Sequence, residues 1–274
     1  MTAYESKSSS SNIPFLVSLC STGNRACDLV SFLDGAAKLG FDGVELWDEH
    51  LRTYLNNGGN LASVAANLSA RGLRVTTIAS RAEVIEPAAA DAAVALAAEL
   101  SEWAAEIGRP GVRMFVDWVA SEEASEEQWE RAVAGVRRMA DAASPHGVII
   151  LLETHHGQLT DTTKTTLEMI RQVDRDNVRV ILDIYNLFHM GEEPLEALPL
   201  LYPYTVNVHL KNGSHSPEGK VSYGKLLTEG DMAVEPFLHA LWAIGYRGFT
   251  AVEWFGDDYW GSAAKELAYL RGFS

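Results

Sequence analysis

Cysteine is scarce in this chain of 274 residues: Cys20 and Cys27 are the only two. They lack CxxC spacing, so there is no disulfide framework or zinc ribbon to read, and a reducing, cytoplasmic setting is expected. Long apolar runs are also missing. Although 47% of the chain is hydrophobic, no stretch approaches the roughly 18 residues a bilayer span needs, and no membrane partner is expected. Positive charge is in short supply, with 22 lysines and arginines against 37 aspartates and glutamates and a net charge of −15. That excess repels phosphates, which argues against nucleic acid as a partner. Part of it gathers at one helix start, in Glu122, Glu123, Glu126, Glu127 and Glu130, where it complements the helix dipole. A Gly-x-Gly-x-x-Gly turn is absent as well, which weighs against an open dinucleotide-binding sheet. Residues 1–12 are polar, without a hydrophobic signal segment, and are expected to form a loose tail before a single domain over 13–274.

What the chain does have is a repeating unit. Short β-branched apolar runs near 13–19, 43–47, 74–79, 111–117, 148–154, 178–184, 205–211 and 248–254 read as buried strands. Helical periodicity lies between them, near 28–39, 59–71, 90–107, 124–143, 162–173, 194–201, 231–244 and 262–272. Gly40, Gly72, Gly108, Gly147 and Gly245 follow helices as stop signals, and Asp161 and Asp231 are candidate N-caps. A βα unit repeated without a linker predicts an α/β fold, a single (β/α)8 TIM barrel.

Four of the runs end on a potential metal ligand: Glu153, Asp183, His209 and Glu253. Barrel topology makes their strands neighbours and puts catalytic groups at their C-terminal ends. Three carboxylates and an imidazole suit one divalent ion; Mn²⁺ or Mg²⁺ leads, and Co²⁺ or Zn²⁺ is compatible. The alternative is that some are strand-end acids facing loop solvent.

Around these residues the chain resembles the xylose isomerase-like superfamily of barrels, over nearly its whole length after the tail. The segments that carry the resemblance are Gly40-Phe41-Asp42-Gly43-Val44-Glu45-Leu46-Trp47, Leu152-Glu153-Thr154-His155, Leu182-Asp183, Val208-His209-Leu210-Lys211-Asn212 and Val252-Glu253-Trp254-Phe255-Gly256. The superfamily includes sugar isomerases and epimerases, inosose and 3-dehydroshikimate dehydratases and the endonuclease IV group. The resemblance implies that a Glu, Asp, His, Glu quartet holds the ion, by position Glu153, Asp183, His209 and Glu253. Glu-x-His after strand 5 and Glu-Trp-Phe-Gly after strand 8 look most like 3-dehydroshikimate dehydratases and related lyases. One departure is Asn186, where some relatives carry a histidine three residues after the aspartate. Metal-dependent C-glycoside-cleaving subunits are a related possibility.

Such a centre would abstract a proton α to a carbonyl of a small polyhydroxylated substrate. His155 shares strand parity with Glu153 and is the leading base, or else an orienter of a ligand or water; His156 should face the other way. Lys211, two residues after His209, could stabilise an oxyanion or act as general acid, or lie in solvent. Glu153 and Glu253 could themselves act as two opposed acid/base groups, which would suit an isomerase or epimerase. Elimination, by His155 with Lys211 or His189, is narrowly favoured. Candidate substrate contacts are Glu45, Trp47, His50, Arg113, His189, His215 and Trp254, with Trp118 and Phe255 as further aromatic walls. Glu45 could equally satisfy buried barrel groups, and Arg113 could pair with an acid such as Glu45 rather than a substrate carboxylate. A barrel that binds metal or sugar without turnover, perhaps as one subunit of a larger enzyme, is the alternative of another class. A homo-oligomer is also compatible.

Overall fold

The computed structural model describes residues 15–273, so the tail expected over 1–12 lies outside the described residues. Seven parallel strands come first: β1 (Leu16–Cys20), β2 (Gly43–Trp47), β3 (Arg74–Ala79), β4 (Gly111–Arg113), β5 (Ile150–Glu153), β6 (Val178–Asp183) and β7 (Thr205–Leu210). An antiparallel hairpin follows, β8 (Asn212–His215) with β9 (Val221–Lys225), and then β10 (Phe249–Val252), which closes the barrel between β7 and β1. The helices are α1 (Leu29–Leu39), α2 (Asp48–Asn56), α3 (Leu61–Ala70), α4 (Pro87–Glu106), α5 (Glu126–Ala143), α6 (Thr163–Val173), α7 (Ile184–His189), α8 (Pro194–Leu201), α9 (Val234–Ala243) and α10 (Tyr259–Gly272). This is the (β/α)8 barrel the sequence predicts. No described helix is long and apolar enough to cross a membrane.

Strand alternation builds both the core and the site. Leu152, Leu182, Val208 and Val252 join the apolar layer between strands and helices, where Phe32, Leu100, Met139 and Phe237 are fully or almost fully buried. Their neighbours Glu153, Asp183, His209 and Glu253 are thereby turned toward the barrel interior. Register sets their heights: Asp183 pairs with His209 across β6–β7, and His209 with Ala251 across β7–β10. Local chemistry fixes the helices around them. Asn60, Ser125 and Thr162 each form a capping box at the start of α3, α5 and α6, stabilising those ends by about 1 kcal/mol each. Gly40 ends α1 at φ 96°, a left-handed position where a Cβ would be strained.

Several local expectations are corrected. The ladder of β4 stops at Arg113, short of 117, and the chain turns at Asp117, which takes a positive φ of 66°. Its Oδ2 accepts from the backbone N–H groups of Val84 (2.6 Å) and Ile85 (2.8 Å), tying down the loop after β3. Asp161 is not the cap of α6; it accepts from Ser121 N (3.0 Å), and Thr162 caps the helix. Asp231 pairs with His215 instead of capping α9, which starts after Ala233. Helices α2 and α7 and the β8–β9 hairpin are additions to the eightfold pattern, and all three lie just after strands on the barrel's functional face.

The hairpin is anchored partly by a buried acid. Glu266 of α10 accepts from Leu227 N (2.9 Å), and burial pushes its pKa up from 4.5 to about 7. The folded state therefore binds this proton more tightly than the unfolded chain does. The associated stability is complete below about pH 4.5 and is lost as pH rises through about 7. Glu266→Gln, which keeps the acceptor, is expected to stabilise the protein at pH 8 by up to about 3 kcal/mol and to change little at pH 4. Urea titrations at both pH values check this; equal effects at the two would contradict it.

Candidate metal centre

Glu153, Asp183, His209 and Glu253 each offer one ligand atom, and those atoms lie within 4.8 Å of one another. All four side chains are buried at the end of the barrel where their strands terminate. Nδ1 of His209 stands 3.6 Å from Glu153 Oε1, 3.7 Å from Asp183 Oδ2 and 3.6 Å from Glu253 Oε2. Its other ring nitrogen, Nε2, lies 3.1 Å from Glu45 Oε2. A proton shared with Glu45 there would leave the Nδ1 lone pair directed at the three ligand carboxylates.

Two observations test whether a divalent ion fits. Nδ1 of His209 and Oδ2 of Asp183 are fully buried and make no directed hydrogen bond, although Lys211 Nζ lies 2.7 Å from that oxygen. Unsatisfied buried polar atoms are rare unless something else meets them. The charges give the second observation. Glu45, Glu153, Asp183 and Glu253 are balanced by Arg113 and Lys211 alone if His209 is neutral, which leaves two negative charges. One divalent cation makes up that difference. Separations near 3.6 Å also leave room for an ion about 2.0–2.2 Å from each ligand atom.

The neighbouring cations show how closely this balance is held. Arg113 Nη1 donates to Glu153 Oε2 (2.8 Å) and lies 3.7 Å from Glu45 and 4.0 Å from Glu253. Burial alone would lower the Arg113 pKa; Glu153, Glu45 and Glu253 reverse that and raise it. Lys211 is in contact with Glu253 Oε2, and the carboxylates of Asp183, Glu253 and Glu153 outweigh burial to raise its pKa well above the usual value. Conversely, Arg113 and His209 outweigh the burial of Glu153 and hold its pKa well below the usual carboxylate range. The imidazole of His209, surrounded by Glu45, Glu253 and Glu153, is likewise raised despite burial. A metal at Nδ1 must displace that proton.

Beside the quartet is a cavity lined by Trp47, Arg113, Phe115, Trp118, His155, Lys211 and Phe255 as well as by Glu153 and Glu253. The other sequence-selected residues lie off its lining. Glu45 is fully buried under His209, where it also accepts from Asn207 (3.4 Å). His50 is turned into the β1–α2 packing, 3.0 Å from Ser21 Oγ, because α2 begins directly after β2. His189 stacks on His156 at 4.2 Å, and the His215 ring packs on Phe188 while its Nδ1 lies 3.2 Å from Asp231. Trp254 is tucked under the hairpin, its indole N–H donating to Asp257 O (3.0 Å).

Sequence reasoning gave no role to three groups that hold the quartet in place. Asn186 donates through its side chain to Glu153 (3.3 Å) and through its backbone to Asp183 (2.9 Å), and its Oδ1 lies 2.7 Å from His156 Nδ1. The His156 ring does not turn to the opposite side from His155 as strand parity predicts: the two rings stack at 4.7 Å, because β5 ends at Glu153 and strand alternation does not reach 155 and 156. Tyr223 of β9 donates to Glu253 O (3.2 Å) and accepts from Phe255 N (2.8 Å), clamping the end of β10. Thr22 donates to Glu253 Oε1 (3.4 Å). The one available sequence signal was the spacing of Asn186, one helical turn after Asp183.

Comparison with known proteins gives a consistent picture. A family described as "Xylose isomerase-like TIM barrel" matches residues 33–273. A 3-dehydroshikimate dehydratase of Bacillus anthracis is 28% identical over 199 residues, 71% of this chain and 71% of that protein. Among solved structures, the probable 3-DHS dehydratase AsbF of Bacillus anthracis superposes with a TM-score of 0.86 at 22% identity, covering 95% of this chain and 100% of that one. An IOLI protein with a bound zinc atom does so with a TM-score of 0.80 at 19% identity, covering 94% and 98%. At those identities the structural likeness speaks for the fold.

Asp183→Ala is expected to lower Mn²⁺ affinity by about 100-fold or more while the barrel stays folded, since mouth residues seldom carry the core. Glu45→Gln should lower it by about 10-fold through His209 alone, as outer partners of metal-bound histidines do. Titration calorimetry with a parallel thermal melt checks both. Wild-type affinity in either variant would contradict the corresponding role.

Proposed function

The chain belongs to the xylose isomerase-like TIM barrel family, and we propose that it is a divalent-metal-dependent lyase that removes a proton α to a carbonyl of a small polyhydroxylated substrate and then eliminates a β-oxygen group. Glu153, Asp183, His209 and Glu253 would hold the ion. Bound there, a Mn²⁺ or Mg²⁺ ion supplies Lewis-acid polarisation of the substrate carbonyl. Similarity to a 3-dehydroshikimate dehydratase supports this reading at the level of reaction class.

The observation that carries it is the state of His155. Its Nδ1 lies 2.7 Å from the carbonyl oxygen of His156 and therefore carries the proton, which leaves Nε2 with a lone pair. Burial lowers the pKa of the ring, so it is neutral near pH 7. Packing against Phe115 and Trp118, with centroids at 5.0 and 5.3 Å, fixes its plane at the cavity wall. A neutral imidazole in a fixed plane can take the α-proton. Lys211, the cation lining the cavity beside Glu253, would stabilise negative charge developing on substrate oxygen.

The isomerase alternative needs a second free base on the opposite face. Glu153 is a poor one, because Arg113 and Asn186 engage both of its carboxylate oxygens. Glu253 is similarly engaged by Lys211 and Thr22. Single-base elimination fits these partners better.

In deuterium oxide with Mn²⁺, wild-type protein is expected to exchange the α-proton of a keto-acid or keto-polyol and to release the β-group, followed by proton NMR. His155→Ala should keep its Mn²⁺ and lose exchange by about 10²-fold or more. Wild-type exchange in metal-loaded His155→Ala would remove His155 as the base. Absence of exchange across 3-dehydroshikimate, inososes and 3-keto-glycosides would favour a non-catalytic binding subunit.

A further inference from the structure

Two arginines at the mouth of the cavity balance no carboxylate. Arg25, in the turn before α1, and Arg81, in the loop after β3, line it together with Trp47 and Trp118 and extend into the adjoining groove, where none of the four metal ligands is found. Each guanidinium is held against an indole, Arg25 Cζ at 5.2 Å from the Trp47 ring centre and Arg81 Cζ at 5.6 Å from that of Trp118. Stacking fixes the plane of a guanidinium and leaves its N–H edge free to grip a planar or tetrahedral anion. Arg25 Nε donates to Thr22 O (3.1 Å), which anchors the side chain. Among the described residues neither arginine forms an ion pair. The charged groups that act on Arg81 are Arg25 and Arg113, both cations, and with burial they lower its pKa.

The shape of the site matters equally. Directly over the quartet the cavity holds about 90 Å³, enough for one end of a small molecule. A groove of about 290 Å³ continues from it past Trp47, Ser80, Arg25 and Arg81. The acids of that groove pair with neither Arg25 nor Arg81: Asp48 Oδ2 accepts from Ser80 Oγ (2.7 Å), and Glu49 lies 4.0 Å from Arg52, whose guanidinium donates to both carboxylate oxygens of Glu99. Arg113, offered by sequence reasoning either for a substrate carboxylate or for an ion pair with a neighbouring acid, takes the second role with Glu153. Anion recognition is thereby left to Arg25 and Arg81.

We propose that Arg25 and Arg81 form an anion subsite, and that the substrate is an acid bearing a carboxylate or phosphate at the end remote from its carbonyl. The proposal rests on the reading that Glu153, Asp183, His209 and Glu253 hold the ion that receives the carbonyl end. Against a net charge of −15 for the whole chain, two guanidiniums that form no ion pair would also help to draw such an anion to the mouth.

The test compares charged probes with neutral counterparts of the same skeleton: 3-dehydroshikimate with its methyl ester, and fructose 6-phosphate with fructose. Binding to the full chain is measured by calorimetry, with and without Mn²⁺, for wild type and for the Arg25→Gln/Arg81→Gln double variant. Wild type should bind at least one charged probe about tenfold or more tightly than its neutral counterpart, and which pair shows this separates carboxylate from phosphate. The double variant should lose that preference while keeping wild-type Mn²⁺ affinity, and both side chains are exposed, so folding is not at stake. No preference for either charged probe in wild type, or a preference that survives in the double variant, would overturn the subsite. Failure of wild type to bind Mn²⁺ would instead overturn the metal reading, and the charge preference would still be read in the metal-free titrations.

Discussion

Glu45, Glu153, Asp183 and Glu253 bring four carboxylates into a space largely closed to water, and Arg113 and Lys211 neutralise two of them. Uncompensated buried charge costs several kcal/mol per ion, so such a cluster persists only if each charge meets a partner. His209 answers part of that charge, its pKa raised by the same carboxylates despite burial. A divalent ion would answer it more completely and free Nδ1 to act as a ligand. The clustered carboxylates are thus the groups suited to binding an ion.

The barrel answers this constraint with rigidity. Ligand groups sit on strands or directly at their ends, and their heights follow from the registers of β6, β7 and β10 rather than from loop conformation. Other elements supply the supporting contacts. Asn186 on α7 positions Glu153, Tyr223 on β9 clamps the backbone of Glu253, and Glu45 orients His209 from across the barrel. The cavity lining draws on both kinds of position. His155 and Lys211 extend from strand ends beside the ligands, whereas Arg25 and Arg81 come from turns at the rim.

The fold was legible because period-two apolar runs and glycine stops recur at even intervals, and that pattern depends only on local chemistry. The four convergent side chains were legible for the same reason, each being the last residue of a buried run. Contacts that cross the barrel were not. Glu45 read equally as a substrate anchor or as a partner for buried barrel groups, and the choice depended on His209, 164 residues away in sequence, which takes its carboxylate. His50 read as a mouth residue, but the short polar helix α2 starts immediately after Trp47 and folds the ring back toward Ser21. The hairpin escaped notice because Asn212–His215 and Val221–Lys225 carry no apolar alternation that would separate them from loop. Arg25 and Arg81 were invisible as a pair, since only tertiary structure puts the turn after β1 beside the loop after β3.

The most direct measurement is anomalous diffraction at the manganese edge from crystals grown with Mn²⁺. One peak is expected, within about 2.0–2.3 Å of a ligand atom from each of Glu153, Asp183, His209 and Glu253. Lys211 should then lie farther from Asp183 than the 2.7 Å that separates its Nζ from Oδ2 here. A peak elsewhere, or none while Lys211 keeps its place among the carboxylates, would contradict a metal centre at these four residues.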